Sequence, residues 1–341
     1  MVTGQTVFPV ESKLVFAPDK HAAKRVAVLM GGVSPEREIS LSSGRAVAKA
    51  LEETGYAVTP VVVNDTEVKV LDDLDVDVVF IAMHGYFGED GGVQRLLDSK
   101  GISYTGSDVR ASKMAMDKIE TKWTFVTSGI PTAKFLTVRR GQPIQELEGL
   151  LLEKLPMPLV VKPSNGGSSV GVSIVHSLSE LARSLEIAFR YDENAIIEEF
   201  IRGRELTVGI FDDNALPVIE IKSAREFYDL SAKYEDGNTR YITSPDIPKD
   251  VYARAQQLAL DAHHVLGCSV FSRVDMMLGD EGELFLLEVN TIPGFTERSL
   301  LPKAAEAAGV SFQELCRGIV LLARKDVEHA ERSENLSCVG V

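Results

Sequence analysis

The first ordered region of the chain alternates between apolar runs and an amphipathic stretch. The apolar run Val26–Met30 ends at a pair of glycines, and two further runs cover 56–63 and 76–83. Residues 38–54 place apolar side chains at helical spacing and are followed by a glycine. Continuous apolar runs are typical of strands that are buried on both faces of a parallel sheet. This region therefore predicts a doubly wound α/β unit whose ligands bind at the carboxyl ends of the strands.

The rest of the chain continues to alternate between helical and extended patterns, interrupted by a polar stretch at 223–246. Helices are predicted over 109–128, 178–189, 249–266, 299–308 and 311–325, and strands over 158–162, 172–175, 195–199, 204–211, 215–221, 270–278 and 283–289. We therefore predict three α/β domains at 25–107, 108–198 and 199–325, a loosely ordered extension at 1–24 and a fraying tail at 326–341.

Composition excludes several classes of function. The 341 residues are 45% apolar and 25% charged, as in ordinary soluble globular proteins. Lys and Arg number 36 against 50 Asp and Glu, a net charge of −14 that argues against general nucleic-acid binding. No apolar run reaches the roughly 18–20 residues of a membrane span. The polar start of the chain does not resemble a signal peptide.

The cysteines and the paired histidines lack the spacing of a metal site. Three distant cysteines predict neither a zinc cluster nor a disulfide framework, and they favour a cytoplasmic protein. His263 and His264 lie on a predicted helix without suitably spaced carboxylates, so we interpret them as structural.

A glycine-rich segment, 165–171, lies between two predicted strands. Its glycines allow the backbone to approach a phosphate, whose oxygens accept from successive N–H groups. Such segments are more often plain hairpin turns. Lys162, at the end of the preceding strand, favours the phosphate interpretation because it directs a cation to the same place. The alternative is an edge-strand lysine that deters sheet pairing.

A second pattern places charged side chains on two consecutive strands. A two-residue turn at Glu281-Gly282 would pair Asp275 with Glu288, and Arg273 with Asn290. Facing carboxylates repel each other unless a cation lies between them, and their hard oxygens suit Mg²⁺. The alternative is a solvated outer face on which Arg273 pairs with one of the carboxylates.

Other candidates are weaker individually. Gly294 offers an N–H group just beyond these strands, and Ser299 begins a predicted helix, where anions bind; a simple helix cap is the alternative for Ser299. Glu36 follows the first strand, where it can also stabilise the next helix. His84 ends a strand, where such a histidine is often only a core group. Lys233-Tyr234 lies in the long polar stretch, which is either an active-site lid or disordered.

Together these segments resemble the D-alanine–D-alanine ligases of the ATP-grasp superfamily, over about residues 25–325. The matching segments are Gly31–Glu38, His84–Gly91, Tyr104–Ser107, Met116–Lys118, Val161–Pro163, Gly167–Gly171, Lys233-Tyr234, Arg273–Asp275 and Glu288–Gly294. The resemblance implies a three-domain ATP-grasp fold and ATP-dependent ligation of two D-alanines, through an acyl phosphate, for peptidoglycan precursors. It also implies two Mg²⁺ ions, or Mn²⁺, with ATP as co-substrate, in a cytoplasmic homodimer.

The resemblance also implies a role for each candidate. ATP phosphates are held by Lys118, Lys162, Lys233 and the loop residues Gly167, Ser168 and Ser169, and the nucleoside is held by Glu198, Glu205 and Phe227. Metal ions are bound by Asp275, Glu288 and Asn290. The first substrate's ammonium group pairs with Glu36, the oxyanion with Arg273 and Gly294, and the second substrate's carboxylate with Ser299 and Leu300, while His84 lies beside both substrates. Hydrogen bonds link Tyr234 to Ser168 and Glu36.

Two alternatives to this function remain open. A D-alanine–D-lactate ligase is the nearer one, but such enzymes tend to lack the lid tyrosine, and Tyr234 is present. A non-catalytic ATP-grasp regulator would lose Arg273 or a metal ligand, and none is lost. One departure from the family is Asn165-Gly166, where bulkier or charged residues also occur, so the stiffness of the loop is left open.

Overall fold

The computed structural model describes residues 25–222 and 239–323, which form three β-sheets flanked by helices. Within these two ranges, no helix has the length and apolar character needed to span a bilayer. Several sequence predictions lie outside the described residues: the extension 1–24, the tail 326–341, Phe227, Lys233 and Tyr234.

The N-terminal unit is a parallel three-stranded sheet with strand order β2-β1-β3, as its apolar runs predict. Its elements are β1 (Arg25–Gly31), α1 (Arg37–Glu53), β2 (Ala57–Val63), a 3-10 turn (Lys69–Asp73), β3 (Val78–Ile81) and α2 (Gly92–Ser99). Helix α1 lies so close to β1 that a Cβ on Gly44 would be 2.3 Å from the Met30 Cβ. This close packing brings Glu36, just before α1, to the carboxyl end of β1.

The middle unit is an antiparallel four-stranded sheet with strand order β4-β7-β5-β6. The elements along this part of the chain are α3 (Val109–Met116), α4 (Lys118–Thr127), β4 (Phe135–Arg139), α5 (Ile144–Lys154), β5 (Leu159–Pro163), β6 (Ser173–Val175), α6 (Leu178–Ala188) and β7 (Asn194–Glu199). The buried apolar residues of α3 and α4 pack in the core of the C-terminal sheet rather than in that of the middle sheet. The sequence patterns did not predict β4 or α5. Strand β4 is a short, mostly half-exposed edge strand, so it lacks a continuous apolar run.

The single helix predicted over 109–128 is wrong, because the chain breaks at Asp117 into α3 and α4. Asp117 has an extended backbone, and its carboxylate accepts from the N–H groups of Ile119 (2.9 Å) and Glu120 (3.3 Å). These bonds cap α4. The Ser164 hydroxyl also donates to Asp117, at 2.5 Å, which ties the start of α4 to the glycine-rich segment.

The C-terminal unit is a six-stranded sheet with strand order β11-β10-β8-β12-β13, in which β9 pairs with β8. Its elements are β8 (Gly203–Phe211), β9 (Asn214–Ala215), β10 (Ile219–Lys222), β11 (Arg240–Ile242), α7 (Lys249–Val265), β12 (Phe271–Gly279), β13 (Leu284–Asn290), α8 (Leu300–Ala307) and a helix α9 at 312–323. The strand predicted over 215–221 is divided between β9 and β10, since Pro217 cannot donate to a ladder.

The turn that joins β12 to β13 differs from the two-residue turn predicted at 281–282. Gly279 N donates to Glu283 O at 2.8 Å, so the loop has three residues. A three-residue loop shifts the pairing by one position, and Leu278 accordingly pairs with Leu284.

A β-bulge further along the hairpin cancels this shift. Leu287 has no partner in the β12–β13 ladder, since Met276 pairs with Leu286 while Asp275 pairs with Glu288. The predicted facing pair of carboxylates is therefore present, although two deviations from the assumed geometry produce it.

The N-terminal and C-terminal units share one apolar core. The Phe295 ring makes edge contacts with Phe80 at 5.5 Å and with Phe271 at 5.7 Å between ring centroids. These contacts hold the segment after β13 against the end of β3. The division into domains at 107 and 198 stays a prediction.

Candidate active site

A cleft of about 420 Å³ lies between the middle sheet and the β12–β13 hairpin. Eight predicted site residues line it: Lys118, Lys162, Gly167, Ser169, Glu198, Glu205, Asp275 and Glu288. Val160 of β5, Met277 of β12 and Leu287 of β13 add apolar walls suited to a planar ring. Sequence reasoning missed these three, because each resembles an ordinary core residue in its strand. The bulge explains Leu287, since it turns Leu287 and Glu288 toward the same side.

One wall of the cleft contains a cluster of Lys122, Lys162 and Glu198, here called the lysine–glutamate cluster. Lys162 Nζ lies 2.7 Å from Glu198 Oε2, and Lys122 Nζ lies 2.9 Å from Glu198 Oε1. Burial alone would raise the pKa of Glu198, but the two ammonium groups hold that pKa below its ordinary value. Glu198, predicted to bind adenine, thus also fixes both lysines. Lys122 was not predicted, since a lysine on a polar helix carries no signal of burial.

The opposite wall contains Asp275 and Glu288, which together with Arg273 and Asn290 are here called the hairpin cluster. Arg273 donates to both Asp275 oxygens, at 2.9 and 2.7 Å, and Asn290 Nδ2 donates to Asp275 Oδ2 at 3.2 Å. The Thr207 hydroxyl, which sequence reasoning missed, donates to Asp275 Oδ1 at 2.6 Å. The predicted convergence and the alternative Arg–Asp pair are both present. The solvated outer face is wrong, because Asp275 is buried.

The donor chemistry of the hairpin cluster fits Mg²⁺. Asp275, Glu288 and Asn290 present hard oxygen ligands, and Lys118 Nζ lies 3.7 Å from Glu288 Oε2. Across residues 25–222 and 239–323, no three acidic, histidine or cysteine side chains form a complete metal cage. Mg²⁺ commonly binds through one or two carboxylates together with substrate phosphates, so two facing carboxylates and an amide suit it.

The glycine-rich segment 165–171 extends from the middle sheet to the N-terminal unit. The Ser168 hydroxyl donates to Glu36 Oε1, which joins the segment to the carboxyl end of β1. Lys118 Nζ donates to Gly166 O at 2.6 Å. Ser168 and Ser169 both have left-handed backbones, with φ of 54° and 59°, a conformation that non-glycine residues rarely adopt. Such strain is typical of loops that hold ligands.

His84 is buried beside Glu36 and is held at both ring nitrogens. Nε2 lies 2.9 Å from the Ser43 hydroxyl and Nδ1 lies 2.9 Å from Ile292 O, while Glu89 Oε1 is 3.6 Å away. Burial lowers the pKa of His84, but Glu89 and Glu36 raise it by more, so the pKa is above its ordinary value. The two carboxylates therefore make the His84 ring easier to protonate than an ordinary histidine.

Gly85 lets the strand end pass directly beneath Glu36. Its φ is +71°, and a Cβ there would lie 2.4 Å from Glu36 Oε2. A side chain at this position would displace the carboxylate, so the glycine preserves the site.

Ser299 is the N-cap residue of α8, as predicted, but its side chain does not cap the helix. Its hydroxyl accepts from Thr296 N at 3.0 Å, and within the described residues it makes no capping bond to α8. The first N–H groups of α8, including that of Leu300, thus keep their capacity to bind an anion. Gly294 is half-buried between this helix and the hairpin cluster.

Comparison with known proteins assigns the chain to a family. The family model described as D-ala D-ala ligase C-terminus matches residues 125–321, and the N-terminal model matches 25–72 and 64–107. The D-alanine–D-alanine ligase of Geobacter sulfurreducens is 46% identical over 311 residues, which are 91% of this chain and 97% of that protein. That of Syntrophotalea carbinolica is 48% identical over 297 residues, covering 87% and 95%.

Solved structures agree with this assignment. The D-alanine–D-alanine ligase of Bacillus anthracis complexed with ATP superposes with a TM-score of 0.80 and 35% identity, covering 90% of this chain and all of that one. The VanG D-Ala:D-Ser ligase of Enterococcus faecalis has a TM-score of 0.78 and 29% identity, covering 88% and 99%. The fold is that of the ATP-grasp enzymes. The chain belongs to the D-alanine–D-alanine ligase family.

Proposed function

We propose that the chain ligates two D-alanines to D-alanyl-D-alanine at the expense of ATP. The main support for this proposal is that one cleft combines a cation-rich wall, suited to phosphates, with an acidic hairpin, suited to a metal ion. Phosphoryl transfer depends on this combination of positioning and charge, without a protein nucleophile. The substrate named for the relatives supplies the identity of the amino acid.

The nucleotide would lie along the cleft. Its phosphates would face Lys118, Lys162 and the N–H groups of the glycine-rich segment, and its adenine would lie against Val160 and Met277. Glu205, which lines the same cleft, would hold the ribose. Asp275, Glu288 and Asn290 would hold two Mg²⁺ or Mn²⁺ ions, which supply positive charge to the phosphates.

The amino-acid substrates would lie beyond the hairpin cluster. Glu36 and His84 lie at the carboxyl ends of β1 and β3, where Glu36 would pair with the ammonium group of the first D-alanine. Ser299 and the α8 N-terminus would bind the carboxylate of the second. Arg273 and the Gly294 N–H would stabilise the oxyanion where negative charge develops.

The proposed ligation proceeds in two steps. A carboxylate oxygen of the first D-alanine attacks the γ-phosphorus, and ADP leaves. The amine of the second D-alanine then attacks the acyl carbon, phosphate leaves, and the nitrogen loses a proton. The glycine-rich segment, tied to Glu36 by Ser168, would cover both steps.

Two other functions are not favoured. The relatives at 43–48% identity are named D-alanine–D-alanine ligases, which disfavours a D-lactate enzyme. A non-catalytic regulator is disfavoured because Arg273, Asp275, Glu288 and Asn290 are all present and converge. We also propose a cytoplasmic homodimer for a peptidoglycan pathway, on the basis of the family resemblance.

The deciding experiment measures phosphate release from ATP and Mg²⁺ with and without D-alanine. We expect release only with D-alanine, together with one dipeptide per phosphate. Products are then analysed with D-alanine, D-serine and D-lactate together, where dipeptide of D-alanine should dominate. ATP binding without phosphate release would support the regulator, and a predominant ester would support the D-lactate enzyme.

A further inference from the structure

Lys122 is a fully buried lysine that lies behind the nucleotide cleft. It is four residues after Lys118, so both side chains leave the same face of α4. Lys118 lines the cleft, whereas Lys122 has no exposed surface and does not line it. Fully buried lysines are rare unless they are paired, because an isolated charge is costly to desolvate.

The Lys122 ammonium group is held by two hydrogen bonds and one ion pair. It donates to the Thr132 hydroxyl at 2.8 Å and to Ala133 O at 3.3 Å, and it lies 2.9 Å from Glu198 Oε1. Thr132 in turn donates to Leu286 O at 2.7 Å, on the strand of the hairpin cluster. Lys122 is therefore fixed from behind, and it holds the Glu198 carboxylate in one position.

The charges of the lysine–glutamate cluster do not cancel. Burial lowers the pKa of Lys122, and the Glu198 carboxylate opposes that shift. With both lysines protonated, Lys122 and Lys162 contribute two positive charges against one negative charge on Glu198, so the cluster is +1. Glu199, the next residue, accepts from Lys134 N at 2.9 Å; its charge raises the pKa of Lys122, but it forms no ion pair with that lysine in the described structure. Without Lys122, Glu198 and Lys162 would form a neutral pair, and the Lys162 charge would be cancelled where the phosphates lie.

We propose that Lys122 is a positioning residue for ATP: it neutralises Glu198 from behind, so that Lys162 keeps a net positive charge toward the phosphates. The inference rests on the proposed function only in placing ATP in this cleft. Lys122 acts without touching the nucleotide, since Glu198 and Lys162 lie between it and the cleft.

The test compares a nucleotide that carries phosphates with one that does not. Dissociation constants for ATP and adenosine are measured by calorimetry, without D-alanine, on the wild type and Lys122→Met. Lys122→Met removes one unit charge roughly 10 Å from the phosphates in a partly buried site. This loss should raise the dissociation constant for ATP about tenfold. The dissociation constant for adenosine should change less than about twofold, because adenosine has no phosphate with which that charge can interact.

A second variant restores the charge without restoring the lysine. Lys122→Met combined with Glu198→Gln has a cluster charge of +1 again, because only Lys162 remains charged. We expect the ratio of adenosine to ATP dissociation constants to return to near the wild-type value. If Lys122→Met does not fold, Lys122→Gln removes the same charge while its amide can still donate to Glu198.

A merely structural role gives a different pattern. Equal weakening of ATP and adenosine, no weakening of either, or a double variant as defective toward ATP as the single one would overturn the role of Lys122. A wild type that binds no ATP at all would overturn the proposed function itself. Thermal unfolding of each variant confirms that binding is measured on folded protein.

Discussion

The two walls of the cleft hold charged clusters of opposite balance. In the lysine–glutamate cluster, one carboxylate lies between two ammonium groups, and Lys122 and Glu198 are buried. In the hairpin cluster, Asp275 and Glu288 outnumber the single guanidinium of Arg273; Glu288 is partly exposed and lies 3.7 Å from Lys118 Nζ. The first cluster therefore attracts the anionic end of a ligand, and the second attracts a cation.

Because Glu198 is buried and Glu288 is partly exposed, substitutions of the two residues should differ in their effect on stability. Removing one partner of a buried ion pair is costly, because the other charge is left desolvated. In a partly exposed ion pair, water solvates whichever charge remains when the other is removed. Breaking such a pair therefore costs little stability. We expect substitution of the buried Glu198 to affect folding and substitution of the partly exposed Glu288 to affect activity.

The largest effect is expected for Glu288→Gln in the hairpin cluster. The amide keeps the shape but removes the charge that a metal ion needs, so ligation should fall by at least about 1,000-fold. The free energy of unfolding in urea should change by less than about 1 kcal/mol.

Glu281→Gln, in the exposed loop of the same hairpin, is the matched control and should retain activity. Normal turnover of Glu288→Gln at ordinary Mg²⁺ concentration would contradict the metal assignment. So would a large loss of unfolding free energy, because the activity would then be lost through folding.

The second effect concerns Glu198→Gln, which leaves two ammonium groups facing each other in the lysine–glutamate cluster. We expect the apo protein to lose about 3–5 kcal/mol of unfolding free energy, as for other broken buried ion pairs. Urea denaturation at pH 7 measures this loss.

Glu193→Gln serves as the control for Glu198→Gln, because Glu193 pairs with Arg140 at the exposed surface, and about 0–1 kcal/mol is expected. Equal losses for the two variants would show that burial does not distinguish the clusters.

The sequence predicted the hairpin cluster better than the lysine–glutamate cluster, for a physical reason. Alternation along a strand places Arg273 with Asp275, and Glu288 with Asn290, on shared faces, whatever the turn does. The exact facing pairs were right only because the three-residue loop and the bulge at Leu287 offset each other. Such compensation depends on packing and has no local sequence signal.

Contacts between distant segments could not be read from local patterns. Lys122 meets Glu198 only after α4 and β7 come together in the fold, and Thr207 meets Asp275 only after β8 and β12 pair. Likewise, Asp117, at the helix break, accepts from the Ser164 hydroxyl, 47 residues away. The parallel N-terminal sheet, in contrast, follows from its apolar runs alone.

The third effect concerns His263, a buried titratable residue that lacks the charged partner that Glu198 has. His263 is buried against the Ser272 hydroxyl at 2.7 Å, without a carboxylate bonded to it in the described structure. Burial lowers its pKa to about 4 from an ordinary value of 6.5. The folded state thus favours neutral His263, and the resulting stability, present above pH 6.5, is lost as pH falls toward 4.

Between pH 8 and pH 5 this loss should be about 2 kcal/mol, measured as unfolding free energy in urea. His263→Gln should remove most of that pH dependence, whereas His264→Gln, which changes an exposed ring paired with Asp213, should keep it. Identical pH dependence in the wild type and His263→Gln would contradict this assignment. It would then follow that other groups govern acid stability.

The smallest effect concerns the loop that covers both clusters. Asp192 Oδ2 accepts from Asn165 N at 2.8 Å and from Asn165 Nδ2 at 2.7 Å, so one carboxylate anchors the start of the glycine-rich segment. Asn165→Asp places two carboxylates in contact and should weaken ATP binding. We expect a cost of about 1 kcal/mol, or roughly fivefold in the KM for ATP, the size of one hydrogen bond.

Exchanging the two residues tests the anchor directly. In Asn165→Asp combined with Asp192→Asn, the new amide can donate to the new carboxylate, and its oxygen can accept from the N–H of residue 165. The KM for ATP should therefore recover to within about twofold of the wild type, because the coupling between contacting residues is restored. Additive losses in the double variant would show that the pair does not anchor the loop. In that case the position of the loop depends on Lys118 and Glu36, which bind it from the two sides of the cleft.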